Sequence, residues 1–258
     1  MFTTRQGGFS NPPWDSLNLG DHVGDMPGHV AANRESLQRA IRSHPVFLKQ
    51  VHGVEVEHIN SSTPDGTEAD ACLTMETGLA CIVMVADCLP VLLTNTCGTA
   101  VAAAHAGWRG LAGADGKGVL ETVLSAFQAK NQPPDQSNPA QEAPEIIAWL
   151  GPCIGPAAFE VGAEVKAALV AGKPGAEQFF KPVTQGKHLA DLAGLARARL
   201  QALGITQIYG NDSSASWCTV GNPSRFFSHR RDAGDVSRGG NGFNTTGRMA
   251  ACLWLAEE

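Results

Sequence analysis

Ala80-Cys81-Ile82-Val83-Met84-Val85-Ala86-Asp87-Cys88-Leu89-Pro90-Val91-Leu92-Leu93-Thr94, then Ala100-Val101-Ala102-Ala103-Ala104-His105-Ala106-Gly107, is the stretch on which the fold turns. Three short apolar runs, 80–85, 91–94 and 100–104, follow one another with too little chain between them for crossover helices, so this part of the sheet is expected to pair largely antiparallel. Outward from there, the Val- and Ile-bearing runs 46–51, 146–150 and 205–209 also read as strands. Helical periodicity marks 30–41, 119–129, 165–171 and 192–203, with Asp191 placed as the N-cap of the last. The expectation is one α/β (α+β) domain with a mixed sheet, spanning residues 1–258. The stretches 112–118, 131–144 and 233–246 read as surface loops.

Composition narrows the function classes. With 258 residues, 43% hydrophobic and 17% charged, the chain has the makings of one large packed core. A formal net charge of −6 gives no basic surface for counterion release, so nucleic acid is not an expected partner. No apolar run is long enough for a membrane span, and the start, Met1-Phe2-Thr3-Thr4-Arg5, lacks a signal-peptide core. A cytoplasmic protein with no membrane partner is expected. The seven cysteines form no C-x-x-C pair, and Cys81 and Cys252, inside apolar runs, are expected to be small buried hydrophobes.

Of eight histidines, His22, His29, His44, His58 and His188 stand in polar surroundings and are expected to face solvent, while His229 lies among Arg225, Arg230, Arg231 and Asp232. His52 and His105 each sit where an apolar strand runs out into glycine, and Cys88 lies where Pro90 closes one strand just before the next. Two imidazoles and a thiolate suit a catalytic zinc that keeps a fourth position open. From the residues alone, hydrogen-bonded structural histidines remain the competing reading. Strand alternation places Gln50 on the same face as His52 and turns Lys49 away. Asp87, beside Cys88, is a candidate base or orienting group if the chain turns there.

Several strings carry a resemblance: Thr4-Arg5-Gln6-Gly7-Gly8, Asp15-Ser16-Leu17-Asn18-Leu19-Gly20, Lys49-Gln50-Val51-His52-Gly53, Ala86-Asp87-Cys88-Leu89-Pro90, His105-Ala106-Gly107-Trp108-Arg109-Gly110, Gly151-Pro152-Cys153-Ile154-Gly155, Phe159-Glu160-Val161-Gly162, Phe227-Ser228-His229-Arg230-Arg231-Asp232 and Thr246-Gly247-Arg248-Met249-Ala250. In these the chain closely resembles the YfiH/YlmD family, whose members have been called laccase-domain proteins, polyphenol oxidases, purine nucleoside phosphorylases and peptidoglycan editing factors. The resemblance implies an α/β sandwich with zinc on His52, Cys88 and His105. It also implies phosphate-dependent cleavage of adenosine, inosine and methylthioadenosine, with deamination of adenosine as a further activity. The sequence departs from the family pattern in extra residues around Asp115 and between Asp232 and Thr246, and in lacking a short strand before Thr4.

Phosphorolysis needs an anion held against the anomeric carbon, and guanidinium groups bind phosphate bidentately. Arg5, Arg109 and Arg230, all in family strings, are the candidates, with nucleoside and inorganic phosphate as partners. Three rivals stand beside this reading. Copper can replace zinc on the same donors, giving a single-copper polyphenol oxidase. Cys88 can be a nucleophile with His105 as its base, in a hydrolase acting on UDP-muramyl-peptide precursors. The third rival is a non-enzymatic zinc-stabilised binding module, although a core of this size does not need metal to fold.

Overall fold

The computed structural model describes residues 1–131, 144–233 and 244–256. In chain order its elements are α1 (Pro27–Ile41), β1 (His44–Val46), β2 (Val56–His58), β3 (Ala71–Thr74), β4 (Leu79–Val85), β5 (Leu89–Asn95), β6 (Val101–Ala106), α2 (Trp108–Ala112), α3 (Val119–Lys130), β7 (Ile146–Leu150), β8 (Glu160–Val161), α4 (Ala163–Val170), β9 (Phe180–Pro182), β10 (His188–Ala190), α5 (Leu192–Ala202), β11 (Gln207–Gly210), α6 (His229–Asp232) and β12 (Met249–Trp254). The predicted loops 131–144 and 233–246 fall largely outside the described residues, as does most of the extra segment after Asp232.

Two sheets form the centre. One has six strands in the order β11-β7-β5-β6-β3-β2, the other three in the order β1-β4-β12. Cys72, Leu92, Val101 and Ala103 of the first meet Val46, Cys81, Val83 and Ala251 of the second. The alternate residues of each strand face outward and are covered in turn. Leu73, Val91, Leu93, Ala102 and Ala104 pack under α2, α3 and α5 through Leu111, Leu120, Val123, Phe127 and Leu195. Ala80, Ile82 and Met84 pack under Leu37 and Ile41 of α1. Because β4 is buried on both faces, its whole run is apolar rather than alternating. Each such Val, Leu or Ile contributes about 1.5–3 kcal/mol by leaving water. Cys81 and Cys252 are fully buried in this core.

The sheet is mixed, but not with the pairing expected around residue 86. β5 runs antiparallel to β6 and to β7, whereas β4 pairs with neither and joins β1 in parallel and β12 antiparallel. The chain changes sheets at Ala86–Cys88, where Asp87 takes a positive φ of 88°. Pro90 lies inside β5, opposite His105, rather than closing the preceding strand. The predicted strand 46–51 is also shorter than expected. Only Val46 belongs to β1, and beyond it the chain makes a single bridge, Lys49 to Glu68. The helices agree with the periodicity to within about three residues, and Asp191 caps α5 by accepting from the Gly194 N–H at 2.9 Å. No described helix is long and apolar enough to cross a membrane.

Candidate metal centre

The change of sheets at Ala86–Cys88 brings Cys88 to the edge of a cleft that β6 and the 47–53 segment also reach. His105 is the penultimate residue of β6 and is 3% exposed. Cys88 is half-buried and His52 is exposed at the cleft wall. His52 does not end a strand. It sits in a turn with φ of 61°, a conformation unusual for a residue with a side chain.

The ligand atoms of His52, Cys88 and His105 all lie within 4.8 Å of one another, and Cys88 Sγ is 3.7 Å from His52 Nε2. Tetrahedral zinc, with bonds of about 2.1 Å to nitrogen and about 2.3 Å to sulfur, sets its donors about 3.4–3.7 Å apart. The donor set therefore fits a metal ion by chemistry, and the Cys88–His52 pair already stands at that spacing. Gly107 closes the site from behind: a Cβ there would come 2.9 Å from His52 Cδ2 and 3.0 Å from Cys88 Sγ.

The electrostatics favour a thiolate. Burial opposes charge on Cys88, yet the neighbouring His105 charge and hydrogen bonds from His105 and His52 outweigh it and bring the thiol down to about 6. Burial likewise opposes protonation of His105, and the Cys88 charge together with Asp70 raises it well above the usual imidazole range. Asp70, absent from the sequence-based candidates, is 0% exposed and bonds His105 Nδ1 at 2.8 Å. Burial raises its pKa, but the His105 bond and backbone N–H groups hold the carboxyl below its ordinary value.

The cleft has a volume of about 470 Å³ and is walled by Trp108, Ile154, Phe159 and Leu192 on its apolar side. Arg109, Arg230 and Arg248 reach it. The Arg109 guanidinium stacks over Trp108 at 4.4 Å and makes no hydrogen bond among the described residues. Arg230 uses Nη1 on the Ala158 and Glu160 carbonyls, at 3.2 Å each. Arg248 spends Nη1 on the carbonyls of Thr246 and Gly247 and turns toward Cys88 and Asp87, whose charges oppose the lowering of its pKa by burial. Arg248 belongs to the Thr246-Gly247-Arg248-Met249-Ala250 string, whose spacing alone assigns it no role. A basic residue between the small Gly247 and the apolar Met249-Ala250 run was the available signal.

Other candidates are placed differently from expectation. Arg5 does not line the cleft; its guanidinium is held by the Asp15 carboxylate and carbonyl and by the Pro223 carbonyl. Gln50 lines the cleft, but its amide both donates to the Met84 carbonyl and accepts from the Met84 N–H, at 2.9 and 2.7 Å. That pairing ties the segment before His52 to β4, so Gln50 positions the wall rather than offering a free polar group. Asp87 accepts from the Arg230 backbone N–H at 2.6 Å and from the Thr219 hydroxyl, which occupies both oxygens. His22 is exposed, as expected, and also borders the cleft together with His229. Burial and the nearby Arg248 lower the pKa of both imidazoles.

Residues 1–256 match the family described as "Multi-copper polyphenol oxidoreductase laccase". The Escherichia coli K12 protein named "Purine nucleoside phosphorylase YfiH" is 46% identical over 256 residues, which cover 98% of this chain and 92% of that one. A Pseudomonas aeruginosa protein named a purine nucleoside phosphorylase is 43% identical, with 99% and 92% covered. Among solved structures, a Neisseria meningitidis protein superposes with a TM-score of 0.82 at 39% identity, covering 99% of this chain and 93% of its own. YlmD from Geobacillus stearothermophilus gives 0.82 at 29% identity, with 99% and 91% covered. With the profile matched almost end to end, and the fold shared with proteins of the same kind, this chain belongs to the YfiH/YlmD family.

Proposed function

We propose that the chain is a zinc-dependent purine nucleoside phosphorylase of the cytoplasm, which cleaves adenosine, inosine or methylthioadenosine with inorganic phosphate. The observation that carries this reading is the placing of the His52–Cys88–His105 group and three arginines around one cleft. The names of the relatives at 43–46% identity support it. The cleft falls within the roughly 300–1,000 Å³ range of small-molecule sites, and the Trp108, Ile154, Phe159 and Leu192 wall suits a flat purine.

In phosphorolysis a phosphate oxygen bonds to C1′ as the C1′–N9 bond breaks, and the base leaves with that electron pair and takes up a proton. Phosphate must therefore be held beside the anomeric carbon. Arg109, whose guanidinium stacks on Trp108 and keeps its N–H groups free of hydrogen bonds among the described residues, and Arg248, charged and partly withdrawn from water, are suited to do this. Arg230 adds charge at the rim while Asp87 anchors its backbone. When bound, zinc would supply Lewis acidity toward a substrate oxygen. His52, Cys88 and His105 would hold it, and Gly107 leaves room for them to converge.

One observation favours a second reading: a Cys88 thiol lowered to about 6 beside His105 is also what a cysteine nucleophile requires. Purified protein incubated with adenosine, inosine and UDP-muramyl-peptides, with and without phosphate, separates the two. Ribose 1-phosphate and free base formed only with phosphate support the phosphorylase. Phosphate-independent free ribose opposes it, inosine formed from adenosine reports deamination, and cleavage of the muramyl peptide by metal-free protein supports the hydrolase.

A further inference from the structure

Asp70 stands between Ala69 and Ala71, just before β3, with a carboxylate that no water reaches. A buried carboxylate is costly unless its oxygens are hydrogen-bonded, and here four N–H groups converge on it. Oδ2 accepts from the backbone N–H of Val51 at 3.1 Å and of Gly53 at 2.6 Å. Oδ1 accepts from the backbone N–H of His52 at 2.9 Å and from His105 Nδ1 at 2.8 Å. Among the described residues no lysine or arginine pairs with it.

We propose that Asp70 is the positioning residue that assembles the metal-binding group, one carboxylate oxygen fixing the backbone beneath His52 and the ring of His105 together. Two consequences follow from its chemistry. An ionised carboxylate only accepts, so the Nδ1 it contacts carries the proton and Nε2 of His105 is left to face Cys88 and the metal. The N–H groups of residues 51–53 wrap around the same carboxylate and hold His52 at its positive φ. Gly53 completes the wrap, since a Cβ there would stand 3.3 Å from Oδ2.

The inference rests on the metal reading above and goes beyond it by naming what sets the donor geometry. A carboxylate behind a ligating histidine fixes its tautomer and raises its basicity, and losing such a partner weakens metal binding by about 10–100-fold. A purely structural Asp70 would affect folding and leave the affinity of the folded protein unchanged.

The test compares zinc affinity of wild type, Asp70→Asn and Asp70→Glu by competition with a chromophoric chelator, with circular dichroism to verify folding and cobalt(II) absorption to report ligand geometry. Wild type should bind one zinc. Folded Asp70→Asn should bind about 10–100-fold more weakly with an altered cobalt spectrum. In zinc-loaded wild type, ¹⁵N-histidine NMR should find His105 protonated at Nδ1 and ligating through Nε2, a readout that stands even if the variants fail to fold. Wild-type affinity in folded Asp70→Asn, or zinc on Nδ1 of His105, overturns the proposal alone. A wild type that binds no zinc overturns the metal reading, and this proposal with it.

Discussion

Gly107 and Cys88 approach so closely that a methyl group on Gly107 would lie 3.0 Å from Sγ. Backbone strain is not the reason for glycine here, because Gly107 has an ordinary φ of −67° as the residue before α2. Space is the reason. Gly107→Ala should therefore push Cys88 and His52 apart and lower metal affinity on the order of tenfold, equivalent to about 1.4 kcal/mol, with little change in melting temperature of the metal-free protein. A chelator competition titration beside a thermal melt checks both halves, and unchanged affinity would show that the three donors do not need this convergence.

His52 separates the two readings of Cys88. A metal group needs all three donors, so His52→Ala should strip the zinc and abolish phosphorolysis, as Cys88→Ala and His105→Ala should. A cysteine nucleophile needs only His105, and His52→Ala would then keep much of its activity. Metal content by emission spectroscopy, paired with turnover, gives the answer. Full activity in metal-free protein, lost on alkylating Cys88, would replace the phosphorylase with the hydrolase.

What could be read from the residues, and what could not, follows from the range of each interaction. Runs such as 79–85 are apolar because both faces are buried, and that survives as a local signal. The change of sheets at Asp87 does not, because a positive φ at one aspartate has no periodicity to betray it. His52, Cys88 and His105 were legible as soft donors where apolar runs meet glycine or a turn, and the resemblance then singled them out as a set. Asp70 was missed because its partners are the N–H groups of residues 51–53 and a ring at position 105, contacts that no spacing encodes. Its one local sign is a lone acid inside the apolar Ala69-Asp70-Ala71-Cys72 run. Arg5 misled for the opposite reason: it belongs to a family string, but Asp15 holds it away from the cleft.

Acid stability should report a second, half-buried charge cluster. Glu121, in the first turn of α3, bonds Lys173 at 2.5 Å and the Gly118 N–H at 2.9 Å, with Arg199 Nη1 at 3.8 Å. Burial raises its pKa, but the Lys173 bond and the Arg199 charge prevail and hold it below the ordinary value of 4.5. A depressed carboxyl contributes stability that is fully present above the unfolded-state pKa and is lost as pH falls through the folded-state value. Melting temperature should thus drop as pH is lowered below about 4.5. Glu121→Gln should cost about 1.5–3 kcal/mol at neutral pH, by removing the charged bond to half-buried Lys173 and the charge facing buried Arg199, and should flatten that acid limb. An unchanged limb would place the acid-sensitive group elsewhere.

The arginines provide the sharpest test of phosphate binding, because the structure divides them into two groups. Arg109, Arg230 and Arg248 line the cleft, while Arg5 is tied to Asp15 and Pro223 and stacks over Phe227. A hydrogen bond to a charged group contributes about 1.5–3 kcal/mol, so Arg248→Ala or Arg109→Ala should raise the phosphate KM by about 10–150-fold. Zinc content should not change, since a guanidinium is not a zinc donor. Arg230 uses Nη1 on two carbonyls and should show a smaller effect of the same sign. Arg5→Ala should leave the phosphate KM where it was and lower the melting temperature instead, because its contacts hold the first strings of the chain to residues 223 and 15. Steady-state kinetics over a phosphate series, with metal analysis on each variant, reads all four. An Arg5 variant with the largest phosphate effect, or an Arg248 variant that loses its metal, would mean that the anion is bound somewhere other than this cleft.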